Sequence, residues 1–396
     1  MGMCCVAGTF PPVSLPDKPF SDEIIFFLEG LSQALLVNAE MRQYDDIIAF
    51  AFWCRKSNIG KMKKKWSANE NRLGLGTIFH IAPSNVPMLF AYSLVAGLLA
   101  GNINIVRLSS RSHATSAAFC RFLRDFLQRR EYKPISEKIA IVVYEHNDVF
   151  TKDLSANCDG RVIWGSNETV KMIRALTLNP LAMEIVFPDR YSIALLDSAF
   201  LCNCRDDDLE QLSRRFYNDT YRMDQNACSS PKLIFWLPSD NIDLVSAKHR
   251  WWQSVYTVAQ EEYDLSPIKV SIKYNELCQL AIEHREISNV QQYENLLYVA
   301  TLSEIKAPLS SYNGHCGFFF EYVLNDLAEI STYTDERSVQ TLVYAGVDPD
   351  IIRNLIVKKR MQGIDRIVPM GQSLVFDLVW DGKNIINLLS REITVQ

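Results

Sequence analysis

The sequence lacks the features that would assign it to several classes of protein. It contains 41 Lys and Arg against 46 Asp and Glu, a net charge of -5, and this balance leaves no basic footprint for nucleic acid. The one basic run, residues 61–65, is more simply a solvated helix face. No internal repeat or low-complexity segment is found. We therefore expect no nucleic-acid partner.

Long apolar runs and leader signals are also missing. The longest apolar stretch, residues 86–100, is interrupted by polar and small residues and is too short to span a bilayer. The N-terminus has no basic region followed by an apolar one, so no signal peptide is predicted. The ten cysteines do not follow the paired spacing of a metal site. We expect a cytoplasmic protein with reduced thiols, no membrane span and no metal centre.

What is present is the composition of an ordinary folded chain of 396 residues, 48% hydrophobic and 22% charged, which is long enough for two domains. Residues 20–66 are predicted to be helical. Beyond them, short apolar runs predict strands and amphipathic segments predict helices. Strands are expected at 77–81, 103–108, 138–143, 161–164, 191–196 and 232–237, and later at 338–343, 366–369 and 374–380. Helices between the early strands imply parallel pairing in a doubly wound α/β sheet.

Three loops that follow predicted strands carry residues suited to an anionic cofactor, which binds at the carboxyl edge of such sheets. Asn85 could donate its amide to a developing oxyanion, or could instead cap the next helix. Arg107 and Ser109 are suitable contacts for a phosphate or a ribose. Gly165 and Ser166 form a turn into a helix whose first N–H groups suit a pyrophosphate. Together the three loops favour nucleotide binding.

Cys228 lies where a helix that begins near residue 206 gives way to the strand at 232–237, with Pro231 between them. A thiol at such a turn can be held against a substrate. An ordinary thiol is only about 3% ionised at neutral pH, and lowering its pKa to about 7 is worth roughly 2 kcal/mol. A helix C-terminus is the wrong pole to stabilise a thiolate, and the sequence identifies no cationic neighbour. From the residues alone, a buried inert cysteine stays open as the alternative.

These segments together resemble the acyl-CoA reductase (LuxC-type) family, a branch of the aldehyde dehydrogenase superfamily. The resemblance runs from about residue 45 to the C-terminus and is carried by residues 80–87, 97–102, 107–110, 164–166, 189–192, 224–231, 363–371 and 380–382. It implies an aldehyde dehydrogenase-like fold of two α/β domains with a doubly wound cofactor-binding sheet. The expected bounds are an N-terminal helical layer over 1–70, a nucleotide-binding domain over 71–215, a catalytic domain over 216–346, and a segment over 347–396 that returns to the cofactor domain or an oligomer interface.

The resemblance also implies an activity, which is the NADPH-dependent reduction of a fatty acyl thioester, borne by CoA or a protein, to an aldehyde. It implies a homo-oligomer and an acyl-protein synthetase partner. Arg107 stands where the superfamily usually has lysine, which keeps the charge but changes its geometry. The roles carried over are the nucleophile for Cys228, an oxyanion donor for Asn85, and cofactor contacts for Arg107, Ser109, Gly165 and Ser166.

One residue of the superfamily is missing. Hydrolytic aldehyde dehydrogenases use a glutamate to activate water, and aligning their motif on this chain places Phe187 at that position, with Glu184 three residues away. Without a base, water attacks a thioester slowly, so we expect a persistent acyl enzyme. Three alternatives stay open: Glu184 acts as the base despite its offset, the acyl substrate is short or sugar-linked, or the protein kept the fold without catalysis. Cys316 is the next candidate nucleophile.

Overall fold

The computed structural model of the protein describes residues 2–66, 71–109, 113–145, 148–240, 242–306 and 308–395. Ser110, which belongs to one of the family-like segments, lies outside these residues. The chain divides into two compact units. The first contains Met1–Pro188 and Phe376–Gln396, and the second contains Asp189–Val375.

The first unit is built on parallel strands. Its strands before residue 188 are β1 (Cys4–Gly8), β2 (Arg72–Gly74), β3 (Thr77–Ile81), β4 (Ile103–Leu108), β5 (Ile139–Val143), β6 (Gly160–Trp164) and β7 (Met183–Phe187). All but β2 form a six-stranded sheet in the order β1-β5-β4-β3-β6-β7. The pairs from β5 to β7 are parallel, and β1 joins the edge antiparallel to β5. Strand order reverses at β3, which has β4 on one side and β6 on the other.

Helices cover both faces of this sheet. They are α1 (Asp22–Val37), α2 (Asp45–Trp53), α3 (Lys56–Trp66), α4 (Leu89–Leu99), α5 (Ala114–Leu127), α6 (Lys133–Ser136), α7 (Asp148–Asn157) and α8 (Asn167–Arg174). Because successive side chains of a strand point to opposite faces, Ile78 packs into one apolar core with residues of α1, α2, α4 and α5. Its neighbour Phe79 packs into a second core on the other face.

The second unit contains a sheet of seven strands. They are β8 (Tyr191–Asp197), β9 (Pro231–Leu237), β10 (Ile287–Tyr293), β11 (Leu297–Leu302), β12 (Phe318–Val323), β13 (Val339–Ala345) and β14 (Arg366–Pro369). Their order is β10-β11-β12-β9-β8-β13-β14, and every pair is parallel except β10 with β11. Two apolar cores flank the sheet, with Ile234 in one and Leu233 in the other.

The helices of the second unit pack on the two faces of its sheet. They are α9 (Ser198–Asn203), α10 (Asp206–Thr220), α11 (Leu244–Glu262), α12 (Pro267–Glu283), α13 (Ile330–Thr334) and α14 (Pro349–Lys359). Short 3-10 turns occur at Met41–Gln43, Arg130–Tyr132, Tyr221–Met223, Leu309–Ser311 and Leu327–Glu329. No helix within the described ranges is both long and apolar enough to cross a membrane.

The last part of the chain rejoins the first unit. It contains β15 (Val379–Trp380), β16 (Lys383–Asn384), α15 (Ile385–Leu388) and β17 (Ser390–Glu392). β17 pairs antiparallel with β2, and the Arg72 guanidinium donates to the carbonyl oxygens of Asn387 and Ser390. These contacts join residues 376–396 to the rest of the first unit.

The doubly wound α/β architecture expected from the sequence is confirmed, and several bounds differ. The units divide at Pro188 and not at the expected boundary of 215, because β8 pairs with β9 and β13 in the second sheet. Likewise, residues 347–375 stay with the second unit. β1 and β7 were not expected. The run 374–380 is strand only at Val379–Trp380, since the Arg366 guanidinium, and not a neighbouring strand, donates to the carbonyls of Ser373 and Val375.

Candidate active site

The predicted oxyanion donor and the residues predicted to contact a cofactor follow or end three strands of the first sheet. Asn85 follows β3, Arg107 ends β4 and is followed by Ser109, and Gly165 and Ser166 follow β6. β4 and β6 are the two neighbours of β3, so these residues share the carboxyl edge at the point where strand order reverses. That is where open α/β sheets bind their ligands.

Arg107 has a buried donor with no hydrogen-bond partner among the described residues. Its Nε atom is buried and makes no hydrogen bond to any described residue. The Cζ atom lies 5.1 Å from the centroid of the Tyr144 ring, and the Tyr144 hydroxyl is hydrogen-bonded to Thr151 Oγ1 at 3.0 Å. A buried N–H without an acceptor costs about 1–3 kcal/mol. A phosphate oxygen at this position would remove that cost, so the arginine fits an anionic cofactor.

Gly165 and Ser166 shape the turn into α8. A Cβ atom on Gly165 would lie 2.9 Å from Thr169 Cγ2, so only glycine fits this turn without a shift. Ser166 is the N-cap of α8, and its Oγ accepts a 3.2 Å hydrogen bond from the Thr169 N–H. The helix therefore begins directly at the sheet edge, where its first N–H groups attract an anion.

Asn85 is exposed in the loop between β3 and α4. α4 begins at Leu89, and its N-cap is Met88, whose side chain makes no capping hydrogen bond. The N-cap residue of this helix is therefore not Asn85. The loop is tied to the start of α5 by a 2.5 Å hydrogen bond between His113 Nε2 and the Ser84 carbonyl. The oxyanion role of Asn85 stays a prediction.

His80, the first residue of the family-like segment 80–87, connects β3 to neighbouring elements of the first unit through hydrogen bonds. Its Nδ1 is 2.8 Å from Ser93 Oγ and its Nε2 is 2.9 Å from Asn104 Oδ1. Burial lowers the pKa of His80 to about 4, so the ring is neutral near pH 7. The Trp164 indole N–H donates to the same Ser93 hydroxyl at 2.9 Å. The network links β3, α4, β4 and β6 beneath the carboxyl edge of the first sheet.

Phe187 and Glu184, the two positions considered for a water-activating base, both contact neighbouring side chains. The Phe187 ring stacks on Trp164 with centroids 3.7 Å apart. Glu184 lies opposite Arg161 in the β6–β7 register and accepts a 2.9 Å hydrogen bond from Arg161 Nε. Arg174 Nε donates to its other oxygen at 2.7 Å. Two guanidinium groups therefore hold the only carboxylate considered for that role.

Cys228 belongs to the second unit and lies in a tight turn before β9. The turn is closed by a 3.0 Å hydrogen bond from the Ser230 N–H to the Ala227 carbonyl, and the half-buried Cys228 occupies its second position. The Ser192 hydroxyl on β8 donates to the Cys228 carbonyl at 2.7 Å. The sequence correctly predicted a turn between a helix and a strand here.

Two left-handed residues lead into this turn. Asp224 has a φ of 49° and Gln225 a φ of 58°, a conformation that non-glycine residues adopt at a cost and that often marks functional loops. Gln225 is fully buried. Its side-chain amide donates to the Phe318 carbonyl at 3.0 Å and accepts from the Gly317 N–H at 2.8 Å. This two-point contact ties the cysteine loop to the start of β12.

Cys316, the second candidate nucleophile, lies in a less favourable environment. It is 5% exposed, and burial, followed by the nearby Asp224 charge, raises the pKa of its thiol. Asp224 itself accepts a 2.5 Å hydrogen bond from the Tyr263 hydroxyl and lies 3.0 Å from Lys269 Nζ. A thiol that is harder to ionise is a poorer nucleophile.

The sequence did not identify Lys232 as a cationic neighbour of Cys228. Lys232 is on β9, interacts electrostatically with Cys228 and Glu276, and has a pKa lowered to about 8 by burial. Its Nζ donates to Asn313 Oδ1. Among the described side chains, no group of three or more His, Cys, Asp or Glu could hold a metal ion.

Comparison with known proteins places these features in context. The profile of the family described as acyl-CoA reductase (LuxC) matches residues 55–391. A curated relative from Photobacterium phosphoreum, named long-chain acyl-protein thioester reductase, is 24% identical over 76% of this chain and 58% of the relative. The protein of the same name from Vibrio harveyi is 23% identical over 76% and 60%. The chain thus spans about three fifths of the length of these curated relatives.

Solved structures with the same architecture include aldehyde dehydrogenases. Aldehyde dehydrogenase 21 from Physcomitrella patens superposes with a TM-score of 0.64 at 9% identity, over 93% of this chain and 84% of that one. At such low identity the similarity concerns the fold alone. The expectation of an aldehyde dehydrogenase-like fold is confirmed.

Proposed function

The chain belongs to the acyl-CoA reductase (LuxC) family, and on that premise we propose that it reduces a fatty acyl thioester to an aldehyde through an acyl group carried on Cys228. The observation that supports this most is the Cys228 turn, in which a half-buried thiol is held at the start of β9 by Ser192 and by the adjoining Gln225 contact. An inert core cysteine needs no such support.

Cys228 begins the reaction as a thiolate. It attacks the carbonyl carbon of the substrate thioester, the bond from that carbon to the carrier sulfur breaks, and the carrier leaves as a thiolate. The acyl group now forms a thioester with Cys228. A nicotinamide, when bound, would supply the hydride that reduces the carbonyl carbon of this thioester. The Cys228 sulfur would then leave that carbon as a thiolate, which would release the aldehyde and restore the nucleophile.

The residues at the carboxyl edge of the first sheet fit a nicotinamide dinucleotide. Two features support binding of phosphate oxygens there: Arg107 Nε makes no hydrogen bond to any described residue, and the turn at Gly165 carries no side chain. We propose NADPH as the cofactor, with Arg107 and Ser109 as contacts of its 2′-phosphate and with Gly165 and Ser166 beside its pyrophosphate. A guanidinium binds a phosphate through two parallel hydrogen bonds, which favours the phosphorylated cofactor.

Two further features of the proposed chemistry are the oxyanion role of Asn85 and the lack of a base that activates water. The Asn85 side-chain amide donates to the oxyanion that develops when the thioester carbonyl is attacked. Because Arg161 and Arg174 bind the Glu184 carboxylate, water is not activated and the acyl enzyme waits for the hydride. This supports a reductase over a hydrolytic dehydrogenase.

The substrate and partners are proposed from the relatives. The two curated relatives are named for long-chain acyl-protein thioesters, so we propose a long acyl chain, delivered by CoA or by an acyl-protein synthetase. We further propose a homo-oligomer in the cytoplasm. All ten cysteines are thiols in the structure, which is compatible with a reducing compartment.

The test is intact-mass spectrometry after incubation with acyl-CoA thioesters of increasing chain length. The wild-type chain should gain the mass of one acyl group, and adding NADPH should remove it as aldehyde. Cys228→Ser should keep its far-UV circular dichroism but gain no acyl mass, whereas Cys316→Ser should behave as the wild type. Acylation that survives in Cys228→Ser and disappears in Cys316→Ser would move the nucleophile to Cys316.

A further inference from the structure

We propose that Lys232 is the cation that stabilises the thiolate of Cys228, with Asn313 holding its ammonium group in position. The inference rests on the acyl-transfer function proposed for Cys228 and adds a positioning residue to it. A cation is needed near Cys228 because the C-terminal end of α10 does not favour a thiolate.

Lys232 and Cys228 are joined by a short, rigid piece of chain. Lys232 is the second residue of β9, and Cys228 lies in the turn immediately before that strand. The turn is closed between Ala227 and Ser230 and is bound to β8 through Ser192. β9 is itself hydrogen-bonded to β8 and β12. Both side chains therefore start from fixed backbone positions.

The ammonium group is anchored without losing its charge. Lys232 Nζ donates to the Asn313 side-chain oxygen, and Asn313 is in the segment that leads into β12. A neutral amide fixes the direction of a lysine side chain, whereas a carboxylate at that position would neutralise it. The charge stays available for a neighbouring anion, and Lys232 interacts electrostatically with Cys228.

Glu276 is the competing anion near Lys232. Its carboxylate is already bound by His315, through Nδ1 at 2.8 Å and the backbone N–H at 3.3 Å. A carboxylate that accepts two hydrogen bonds from another residue competes less for Lys232.

The neighbouring lysines are occupied elsewhere. Lys269 pairs with Asp224, and Lys273 donates to the carbonyls of Asn295 and Cys316. Lys232, by contrast, is on the strand that directly follows the Cys228 turn, whereas Lys269 and Lys273 are on α12.

The protonation state of Lys232 suits this role. Burial lowers the pKa of Lys232 to about 8, and the charges of Cys228 and Glu276 oppose that decrease. A lysine with this pKa is about ten parts protonated to one part neutral at pH 7. Partial burial also strengthens its attraction to a thiolate, since the effective dielectric constant is lower than in water. The proton released from the thiol passes to solvent, and Lys232 keeps its own.

Alkylation of the resting protein tests the proposal without any acyl donor or cofactor. Iodoacetamide is reacted with wild-type protein, Lys232→Met and Lys232→Arg over a range of about pH 6 to 10, and Cys228 labelling is timed by peptide mass spectrometry. Lys359→Met, which changes an exposed lysine on α14, is the matched control. Far-UV circular dichroism of each variant checks that the fold is retained.

We expect Lys232→Met to raise the pH midpoint of Cys228 labelling by about one unit, which slows labelling at pH 7 about tenfold, with rates that converge near pH 10. Lys232→Arg and Lys359→Met should stay within about twofold of wild type. Asn313→Ala, which leaves the lysine in place, should produce a smaller shift in the same direction. An unchanged midpoint in Lys232→Met overturns the proposal.

The two proposals fail in different ways. If Lys232→Met shifts the labelling midpoint but wild type gains no acyl mass from any thioester, the charge role of Lys232 holds and the proposed reductase activity is wrong. If wild type is acylated and the midpoint does not move, the reductase activity holds and the role of Lys232 is wrong.

Discussion

Ser192 donates a 2.7 Å hydrogen bond from its hydroxyl to the backbone carbonyl of Cys228. Ser192 is fully buried at the start of β8, so water does not compete for this bond. The contact fixes the carbonyl of the residue whose sulfur is proposed to attack the substrate. The orientation of the thiol therefore depends on a neighbouring strand as well as on its own turn.

Removing this hydroxyl should affect both stability and reactivity. We expect Ser192→Ala to lower the free energy of unfolding by about 1–2 kcal/mol and to slow acylation of Cys228 several-fold. Ser213→Ala is the control, since Ser213 is equally buried and donates at 2.8 Å to Ser254. Urea unfolding and timed intact-mass spectrometry measure the two effects. Equal acylation rates in both variants would show that the Ser192 bond is purely structural.

Cofactor choice should depend on Arg107. We expect Arg107→Ala to weaken NADPH binding about 10- to 100-fold, the value of one or two charge-assisted hydrogen bonds, with a much smaller effect on NADH. Arg107→Lys should keep part of the preference because it keeps the charge. Arg121→Ala, which removes an exposed arginine paired with Glu40, is the control. Initial rates with both cofactors below saturation provide the measurement, and an unchanged NADPH to NADH ratio in Arg107→Ala would contradict the assignment.

The acyl enzyme should be long-lived in the absence of NADPH. General-base help accelerates such steps by about 10²- to 10⁴-fold, and the Glu184 carboxylate is bound by Arg161 and Arg174. We expect slow decay to free acid, rapid discharge as aldehyde on adding NADPH, and discharge as acyl-CoA on adding CoA. Intact-mass spectrometry follows each reaction.

Glu184→Gln separates a catalytic from a structural role for this carboxylate. It should lower the free energy of unfolding by about 3 kcal/mol, because the buried Arg161 guanidinium loses its negatively charged partner, and it should leave the thioester lifetime unchanged. Arg174→Met, which removes only the exposed partner, should cost much less stability. A short-lived wild-type thioester that this glutamine substitution prolongs would instead make the protein a hydrolytic dehydrogenase.

Acid should destabilise the first unit through His80. Burial lowers the pKa of His80 from 6.5 to about 4, so between those values the unfolded chain binds a proton that the folded chain does not. The contribution of neutral His80 to the free energy of unfolding is therefore fully present above about pH 6.5. It is lost as the pH decreases towards 4, by about 3 kcal/mol in total. His80→Gln should be less stable at pH 7 but show a flatter pH dependence. Urea unfolding at several pH values compares it with His249→Gln, a change at an exposed histidine. Parallel curves for wild type and His80→Gln would refute the assignment.

The position of Arg107 and Gly165 at one edge of the first sheet could be predicted because it depends on local sequence. β3 and β4 occupy the bounds that their apolar runs predicted, 77–81 and 103–108. Once parallel pairing is inferred, the residues that follow these strands must share one edge. Arg107 and Gly165 therefore come together without any long-range information beyond strand order. β7 escaped prediction because Glu184 interrupts its apolar run, and the partner that accommodates this charge, Arg161, is on the neighbouring strand.

The surroundings of Cys228 could be predicted only in part. The turn before β9 follows from the local sequence. Lys232 and its partner Asn313, by contrast, are 81 residues apart, and Gln225 meets Gly317 and Phe318 across a similar separation. Such contacts depend on which strands become neighbours in the second sheet, and a single sequence does not specify β12 beside β9. Hydrogen bonds between loops at strand ends leave no periodic pattern in either segment.

The return of Phe376–Gln396 to the first unit has a consequence for biosynthesis. The second unit is one continuous stretch of chain, so it can fold once residues 189–375 are free of the ribosome. The first unit cannot close its β2–β17 ladder until Ser390–Glu392 is also free. A folding intermediate with a finished second unit and an open first unit is therefore expected. Expression of the first unit by itself requires a direct fusion of residues 1–188 to residues 376–396.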